Sequence, residues 1–194
     1  MIIGIIDSGR GGLAVAEAIK EEEDTLLILL DKSFFPYGTK SKEFLMKRAF
    51  YLTEHLIKKG ADIVILACNT LSILTLDFLK YSFDIPILGV FNYFEPYLTK
   101  ENVILGSSNT IQYVQKNFDM DGIDGTDLIR AIEKKEEYAS LLKRYNFSSY
   151  HFVLLACTHF LNIPQDQLPF QALSQIAWLK EDIRKIKNDL KRSL

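Results

Sequence analysis

The sequence is poor in cysteine, in long apolar runs and in any excess of one charge, and each shortage excludes a class of protein. Two cysteines in 194 residues are too few for a disulfide-stapled scaffold, so we expect free thiols. The 23 basic and 25 acidic residues leave a formal net charge of −2, which argues against nucleic acid or an anionic membrane as a partner. No stretch reaches the roughly 18 apolar residues of a membrane-spanning helix.

The residues that are present favour a globular protein. Hydrophobic residues make up 48% of the sequence, which is enough to bury a sizeable core. The apolar start, MIIGIID, is too short for a signal segment and lacks its basic residues. We therefore expect a cytoplasmic protein whose partner is a small neutral or mixed-charge molecule.

Short apolar runs alternate along the chain with segments of helical periodicity, including a long helix predicted from about Lys42 to Lys59. The runs are IIGIID, LLILLD, DIVILACN, PILGV, NVILGS and HFVLLACT, with a weaker segment near Gly122–Asp127. This alternation predicts an α/β fold with two similar, mostly parallel lobes and a ligand site between them at the carboxyl ends of the strands. Residues 1–94 and 170–194 are expected to form the first lobe, and residues 95–169 a second, truncated lobe.

The two cysteines occur in nearly the same phrase, VILACNT at residues 64–70 and VLLACTHF at residues 153–160. Each phrase predicts a buried strand that ends at Ala-Cys. Loops and helix N-termini converge at the carboxyl ends of parallel strands, so ligands bind there. The predicted strand ends carry polar, thiol and glycine positions: Asp7-Ser8-Gly9, Asp31, Cys68-Asn69-Thr70, Gly106-Ser107-Ser108 and Cys157-Thr158-His159.

A glycine motif offers a different interpretation. Gly9 to Ala14 match G-x-G-x-x-A after a strand, and Asp31 follows at roughly the spacing of the carboxylate that binds ribose in dinucleotide folds. Asp7, however, ends the strand where a negative charge would oppose a pyrophosphate. We therefore expect these glycines to allow a tight turn and a close approach to a small ligand instead.

Two thiols at matching strand ends can invert a carbon that bears an acidic hydrogen. One removes the proton from one face, and the other returns a proton to the opposite face. A thiol acts as a base only as the thiolate, so each cysteine needs a neighbour that shifts or receives its proton. Asp7 and His159 are placed for that task next to Cys68 and Cys157. The alternative is that both cysteines are small buried apolar residues.

Six segments in order along residues 1–160 resemble the signatures of glutamate racemases in the aspartate/glutamate racemase superfamily. They are IIGIIDSGRGGLAV, DKSFFPYGTKS, VILACNT, ILGV followed by FEP, ILGSSNTIQ and LLACTHF. The resemblance implies that Cys68 and Cys157 are the catalytic thiols and that Asp7, His159 and Glu133 assist them. It also implies that the substrate-binding residues are Ser8, Pro36, Tyr37, Gly38, Asn69, Thr70, Ser107, Thr110 and Thr158.

The resemblance further implies a racemase that makes D-glutamate for peptidoglycan with no cofactor and no metal, and it leaves a homodimer possible. The sequence departs from the pattern in two regions, between Thr110 and Glu133 and after Phe160, where a helix, a strand and a helix are missing. Arg10 is also unusual and could pair with Asp7 or with a substrate carboxylate. Two alternatives stay open: a racemase or lyase-type enzyme for another small carboxylate, and a weakly active shortened paralogue with a binding role.

Overall fold

The structure is a computed structural model that describes residues 1–192. Its first sheet lies in the N-terminal half of the chain. The sheet is parallel, in the order β2-β1-β3-β4. Its strands are β1 (Ile2–Asp7), β2 (Thr25–Leu30), β3 (Ile63–Leu66) and β4 (Ile87–Gly89). The helices of this half are α1 (Gly11–Ile19), α2 (Lys42–Lys58) and α3 (Asn69–Ser82). The long helix is therefore confirmed to within one residue.

Both faces of the first sheet are covered, which is why its strands read as continuous apolar runs rather than as alternating patterns. Ile3 and Ile5 of β1 pack in one apolar cluster with residues of α1. Ile6 of the same strand points to the other face, into a cluster with Leu45 of α2 and Leu71 of α3. The polar loops that follow the strands are thereby left at the ends of the sheet, where a site can form.

The second sheet repeats this plan with shorter strands, in the parallel order β6-β5-β7-β8. Its strands are β5 (Val103–Gly106), β6 (Asp121–Asp124), β7 (Val153–Ala156) and β8 (Ala172–Leu173). The helices between them are α4 (Ser108–Asn117), α5 (Thr126–Lys134) and α6 (Ala139–Leu142). The weak segment is thus a strand, and the prediction of two similar parallel α/β lobes is confirmed.

The C-terminal segment contacts both lobes. β8 pairs with β7 of the second sheet, whereas the last helix, α7 (Ile176–Arg192), packs against α1 of the first lobe. Leu179 and Ile183 of this helix are buried in the same cluster as Ile3 and Ile5. Residues 170–192 are therefore shared between the lobes, and the sequence-based lobe boundaries stay a prediction. Residues 193 and 194 of that assignment lie outside the described residues.

Within residues 1–192, five short 3-10 segments lie between the strands and helices. They include most of the loops that follow the strand ends. They span Lys32–Phe34, Tyr37–Thr39, Val90–Tyr97, Thr158–Asn162 and Gln165–Gln167. The peptide bond between Phe35 and Pro36 is cis. Among residues 1–192, no helix is both long enough and apolar enough to cross a membrane.

Candidate active site

Asp7, the last residue of β1, is buried at the point where the two lobes meet. Its carboxylate accepts hydrogen bonds from the amide of Gly9 (2.9 Å) and, across the lobes, from the hydroxyl of Thr158 (2.9 Å). Burial raises the pKa of Asp7 above its ordinary value, and the positive charge of His159 opposes that rise. Within the described residues no ion pair joins Arg10 to Asp7, so the first of the two alternatives for Arg10 is not met, and pairing with a substrate carboxylate stays a prediction.

Cys68 lies at the N-cap of α3, two residues beyond the buried end of β3. The side chain is partly exposed to the cavity described below. Burial, and next the negative charge of Asp7, raise the pKa of the Cys68 thiol well above its ordinary value. The amides of Leu71 and Thr70 oppose this by hydrogen bonding to the sulfur. The result is a thiol that holds its proton, next to helix amides that can stabilise the anion formed on proton loss.

Cys157 has different neighbours: its sulfur contacts an imidazole ring, and that ring in turn contacts a carboxylate. The Cys157 sulfur lies 3.4 Å from Nδ1 of His159, and Nε2 of the same ring lies 2.9 Å from Oε2 of Glu133. Burial opposes protonation of His159, but the charge and hydrogen bond of Cys157, the hydrogen bond of Glu133 and the charge of Asp7 outweigh it and raise the pKa to about 10. The ring is therefore an imidazolium at neutral pH.

Glu133 reaches this series from α5 and is also tied to the first lobe. Its Oε2 atom accepts a hydrogen bond from the amide of Arg10 (2.7 Å). Burial alone would raise the pKa of Glu133, but the hydrogen bonds from His159 and from the Arg10 amide lower it. Glu133 thus stays ionised and keeps the proton on His159.

The glycine turn allows the two lobes to approach each other closely. A Cβ atom at Gly9 would lie 2.6 Å from Oε2 of Glu133 and 2.9 Å from Nε2 of His159, and one at Gly11 would overlap the Thr158 hydroxyl. Any side chain at Gly9 or Gly11 would therefore force the lobes apart. The glycine turn therefore faces protein atoms of the second lobe, whereas the glycine turn of a dinucleotide-binding fold faces a pyrophosphate.

Asp31, the carboxylate that the dinucleotide interpretation would use, already has protein partners. It accepts two hydrogen bonds from Arg48 (2.7 and 2.6 Å) and one from the Tyr37 hydroxyl (2.5 Å). Burial acts against ionisation, but these donors lower the pKa of Asp31. Asp31 therefore holds the Pro36-Tyr37-Gly38 loop in place.

Three hydroxyl groups form a cluster where the lobes meet. The Thr70 hydroxyl lies 2.8 Å from that of Ser107 and 3.3 Å from that of Thr110, and the latter two are 3.2 Å apart. Thr70 belongs to the first lobe and the other two to the second. The hydroxyl protons can rotate toward an acceptor, so the cluster can donate to a carboxylate without adding charge.

A small cavity lies between the two thiols, with a volume of about 20 Å³. This is room for about one water molecule, so the site is nearly closed in this structure. Its lining includes eleven of the predicted site residues: Asp7, Ser8, Pro36, Tyr37, Gly38, Cys68, Thr70, Ser107, Cys157, Thr158 and His159. Within residues 1–192, no group of three or more His, Cys, Asp or Glu side chains is arranged as a metal site.

Three predicted residues lie behind this lining rather than in it. Glu133 and Thr110 support His159 and the hydroxyl cluster, as described above. Asn69 is buried next to Cys68, and its Oδ1 atom accepts a hydrogen bond from Gln175 (2.8 Å).

The sequence interpretation missed three residues of the site. Phe35 and Ile129 line the cavity, and the Phe35 ring lies 5.4 Å from that of His159. The position of Phe35 next to the Pro36-Tyr37-Gly38 loop could have indicated its role. Gln175 and Ile129 have no such signal, because nothing in their local sequence marks them.

Comparison with known proteins gives the family of the chain. It is 35% identical over 184 residues to a glutamate racemase from Buchnera aphidicola subsp. Schizaphis graminum, a match that covers 80% of this chain and 71% of that protein. The chain belongs to the glutamate racemase family. A second glutamate racemase, from Campylobacter curvus, is 28% identical over 193 residues, with 82% and 71% covered. No family model matches the chain.

Solved structures of glutamate racemases share the fold of this family member. The protein from Thermus thermophilus, in complex with β-chloro-D-alanine, matches with a TM-score of 0.83 and 21% identity, covering 96% of this chain and 80% of that one. The protein from Francisella tularensis, in complex with D-glutamate, matches with a TM-score of 0.80 and 20% identity, covering 97% and 81%. The resemblance found in the sequence is thus confirmed. As a family member, the chain is an amino-acid racemase, an isomerase.

Proposed function

We propose that this racemase acts on glutamate by two-base proton transfer, with Cys68 and Cys157 on opposite faces of the substrate α-carbon. The observation that carries the proposal is the placement of both thiols on one small cavity, each with its own ionisable neighbour. Asp7 acts on Cys68, whereas His159 contacts Cys157 directly. One base for each face is the minimum that inversion of a carbon centre requires.

The environments of the two thiols suit opposite starting states. Cys68 keeps its proton because burial and the charge of Asp7 raise its pKa. The imidazolium of His159 lies within hydrogen-bonding distance of the Cys157 sulfur, where it can donate to a thiolate. The Cys157 thiolate therefore takes the α-proton of L-glutamate as the C–H bond breaks and an S–H bond forms. Cys68 gives its proton to the opposite face, and D-glutamate results.

Neutral donors around the cavity suit the carboxylates of glutamate. The hydroxyl groups of Thr70, Ser107 and Thr158 line the cavity and can bind a carboxylate without a second full charge. Thr110 and the unpaired Nδ2 atom of Asn69 lie behind this lining and complete the proposed set of donors. The small volume limits the water that remains beside the substrate. A site with little water strengthens these hydrogen bonds as negative charge develops on the substrate.

Both proton transfers use side chains of the chain itself, so the proposed reaction uses no cofactor and no metal. We assign its product, D-glutamate, to the supply of peptidoglycan precursors in the cytoplasm, and we retain a homodimer as part of the proposal. Complementation tests this role, because expression of the chain should let a D-glutamate auxotroph grow without added D-glutamate. The Cys68→Ser variant is the matched control and should not restore growth.

Solvent deuterium exchange tests the assignment of the two faces. Cys157→Ser should abolish deuterium entry at the α-carbon of L-glutamate, and Cys68→Ser should abolish entry into D-glutamate. Each variant is the control for the other, since both lose one sulfur atom from the same cavity. Full racemisation by both single variants would disprove the two-base assignment.

The two alternatives are outcomes of a further measurement on the unmodified chain. Calorimetric titration against a panel of amino and dicarboxylic acids, paired with a circular-dichroism racemisation assay, gives affinity and turnover separately. We expect glutamate to bind and to racemise. Turnover of a different carboxylate would redirect the substrate, and tight binding of glutamate without turnover would leave only a binding role.

A further inference from the structure

Gln175 lies between β8 and α7 and is 1% exposed, although glutamine is normally a surface residue. Its Nε2 atom donates to Oδ1 of Asn69 at 2.8 Å, and the carbonyl oxygen of Leu155 in β7 lies 3.5 Å from the same nitrogen. One amide group thus contacts the start of α3 in the first lobe and the strand before Cys157 in the second. Gln175 therefore contacts Asn69, the residue that follows Cys68.

The hydrogen bond from Gln175 determines which atom of the Asn69 amide is left over. Because Oδ1 accepts from Gln175, Nδ2 is the free end, and among residues 1–192 this buried nitrogen has no hydrogen-bond partner. Leaving a buried donor unpaired destabilises a protein, because the group gives up its hydrogen bonds to water and receives none in return. Such a donor is suited to a ligand that supplies the missing acceptor. Asn69 also opens α3, whose N-terminal amides favour an anion.

We propose that Gln175 is a positioning residue that keeps the Nδ2 donor of Asn69 available to a substrate carboxylate. This inference rests on the function proposed above. An asparagine side chain can turn over and exchange its oxygen and nitrogen at little steric cost. Only one of the two orientations presents a donor to an anion, and the other presents an oxygen that repels it. Gln175 selects the first orientation because its Nε2 atom also faces the carbonyl oxygen of Leu155, which can only accept, so Nε2 rather than Oε1 is directed at Asn69.

The position of Gln175 in the fold makes this selection depend on both lobes. It precedes α7, which packs against α1 of the first lobe, while the residues before it form β8 on the second sheet. The backbone of Gln175 also accepts the hydrogen bond from the amide of Leu179 in the first turn of α7. The start of the terminal helix is thereby linked to Asn69 through Gln175.

Replacement of Gln175 by residues of similar size tests the inference. Gln175→Met keeps the length of the side chain and removes the hydrogen bond, so the orientation of Asn69 is no longer selected. We expect the KM for glutamate to rise by about 10- to 100-fold, as for loss of a hydrogen bond to a charged group, while kcat changes much less. In an Asn69→Ala background the same replacement should change KM very little, because the residue it positions is gone.

Gln175→Glu adds a readout that a purely structural role would not change. When ionised, the introduced carboxylate accepts from Nδ2 of Asn69 and turns the amide over, so KM relative to the unmodified enzyme should rise as pH increases. When protonated, the carboxyl group can donate to Oδ1 and restore the native orientation. Gln175→Met should show no such pH dependence. A pH-independent KM ratio for Gln175→Glu, or an unchanged KM in both variants, would overturn the inference.

A second measurement needs no substrate and separates this inference from the proposed function. The side-chain amide signals of Asn69 in a ¹⁵N–¹H spectrum of the ligand-free protein report whether Nδ2 is hydrogen bonded. Gln175→Glu at high pH should shift these signals downfield, and lowering the pH should reverse the shift. If the unmodified chain does not turn over glutamate, the proposed function fails. Asn69 signals that do not respond to either variant overturn the positioning role independently.

Discussion

We expect the protein to lose stability in alkaline solution, and replacement of His159 by glutamine should remove much of that loss. His159 donates toward Cys157 from one ring nitrogen and toward Glu133 from the other, and its pKa is raised from 6.5 to about 10. A group whose pKa is higher in the folded state binds an extra proton there. Its stabilisation is therefore complete below pH 6.5 and is lost as the pH rises toward 10.

The size of this effect follows from the interval between the two pKa values. Each pKa unit corresponds to about 1.4 kcal/mol, so a proton held across the interval from 6.5 to about 10 contributes on the order of a few kcal/mol. The side chain of His159 is only 3% exposed, so little screening by solvent reduces the effect. This is a large share of the roughly 5–15 kcal/mol that stabilises a typical domain.

The assay is urea unfolding at several pH values between 6.5 and 10, followed by circular dichroism. The matched control is His151→Gln, since the His151 side chain is 73% exposed. We expect the free energy of unfolding of the unmodified protein and of the control to fall with pH along the same curve. His159→Gln should start lower, because Glu133 loses its partner, and should then fall much less steeply.

Parallel curves for the unmodified protein and His159→Gln would refute the reasoning. They would mean that the proton on His159 is not held by the folded structure, and hence that Glu133 and Cys157 do not stabilise an imidazolium. The starting state proposed for the two thiols would fail with it.

Two further predictions concern the lobe contacts. Burial raises the pKa of Asp7, so ionisation of Asp7 opposes folding at pH values above its ordinary pKa of 3.8. Asp7→Asn should therefore raise the thermal midpoint of unfolding at neutral pH and lose that advantage below pH 3.8. The same replacement should slow proton exchange at Cys68. A Cβ atom at Gly38 would overlap the side chain of Ser107, so Gly38→Ala should raise the KM for glutamate and lower stability by about 1–3 kcal/mol. Its control, Gly60→Ala, places a methyl group in ordinary van der Waals contact with Ile2 (3.7 Å) at a backbone φ of +88° and should lower stability without changing KM.

Much of the fold and part of the site could be predicted because they depend on local sequence. Apolar runs such as IIGIID and VILAC are bounded by polar and glycine residues, and their alternation with helical segments predicts parallel sheets. The carboxyl ends of parallel strands gather at one edge, which is why Cys68 and Asp7 could be placed together from their positions alone. His159 was placed for the same reason, since it follows Cys157 by two residues.

Other features depend on contacts between distant segments and have no local pattern. The glycine turn reads in sequence as a dinucleotide motif, but its function depends on Glu133 and Thr158 of the other lobe, which lie over 100 residues away. The sequence position of Asp31 is typical of a carboxylate that binds ribose, but in the structure Asp31 accepts hydrogen bonds from Arg48 of α2 and from the Tyr37 hydroxyl.

The sequence by itself therefore determined the α/β class, the two lobes, the racemase family and the pair of thiols at matching strand ends. Only the tertiary structure decided the contacts that hold the groups near the thiols: that Glu133 joins His159, that the Arg10 amide joins Glu133, and that Gln175 binds Asn69. The physical reason is the range of the interactions. Strand formation and helix periodicity are set by neighbours within a few residues, whereas pKa shifts and amide orientation are set by atoms about 3 Å away that the folded chain brings in from other elements.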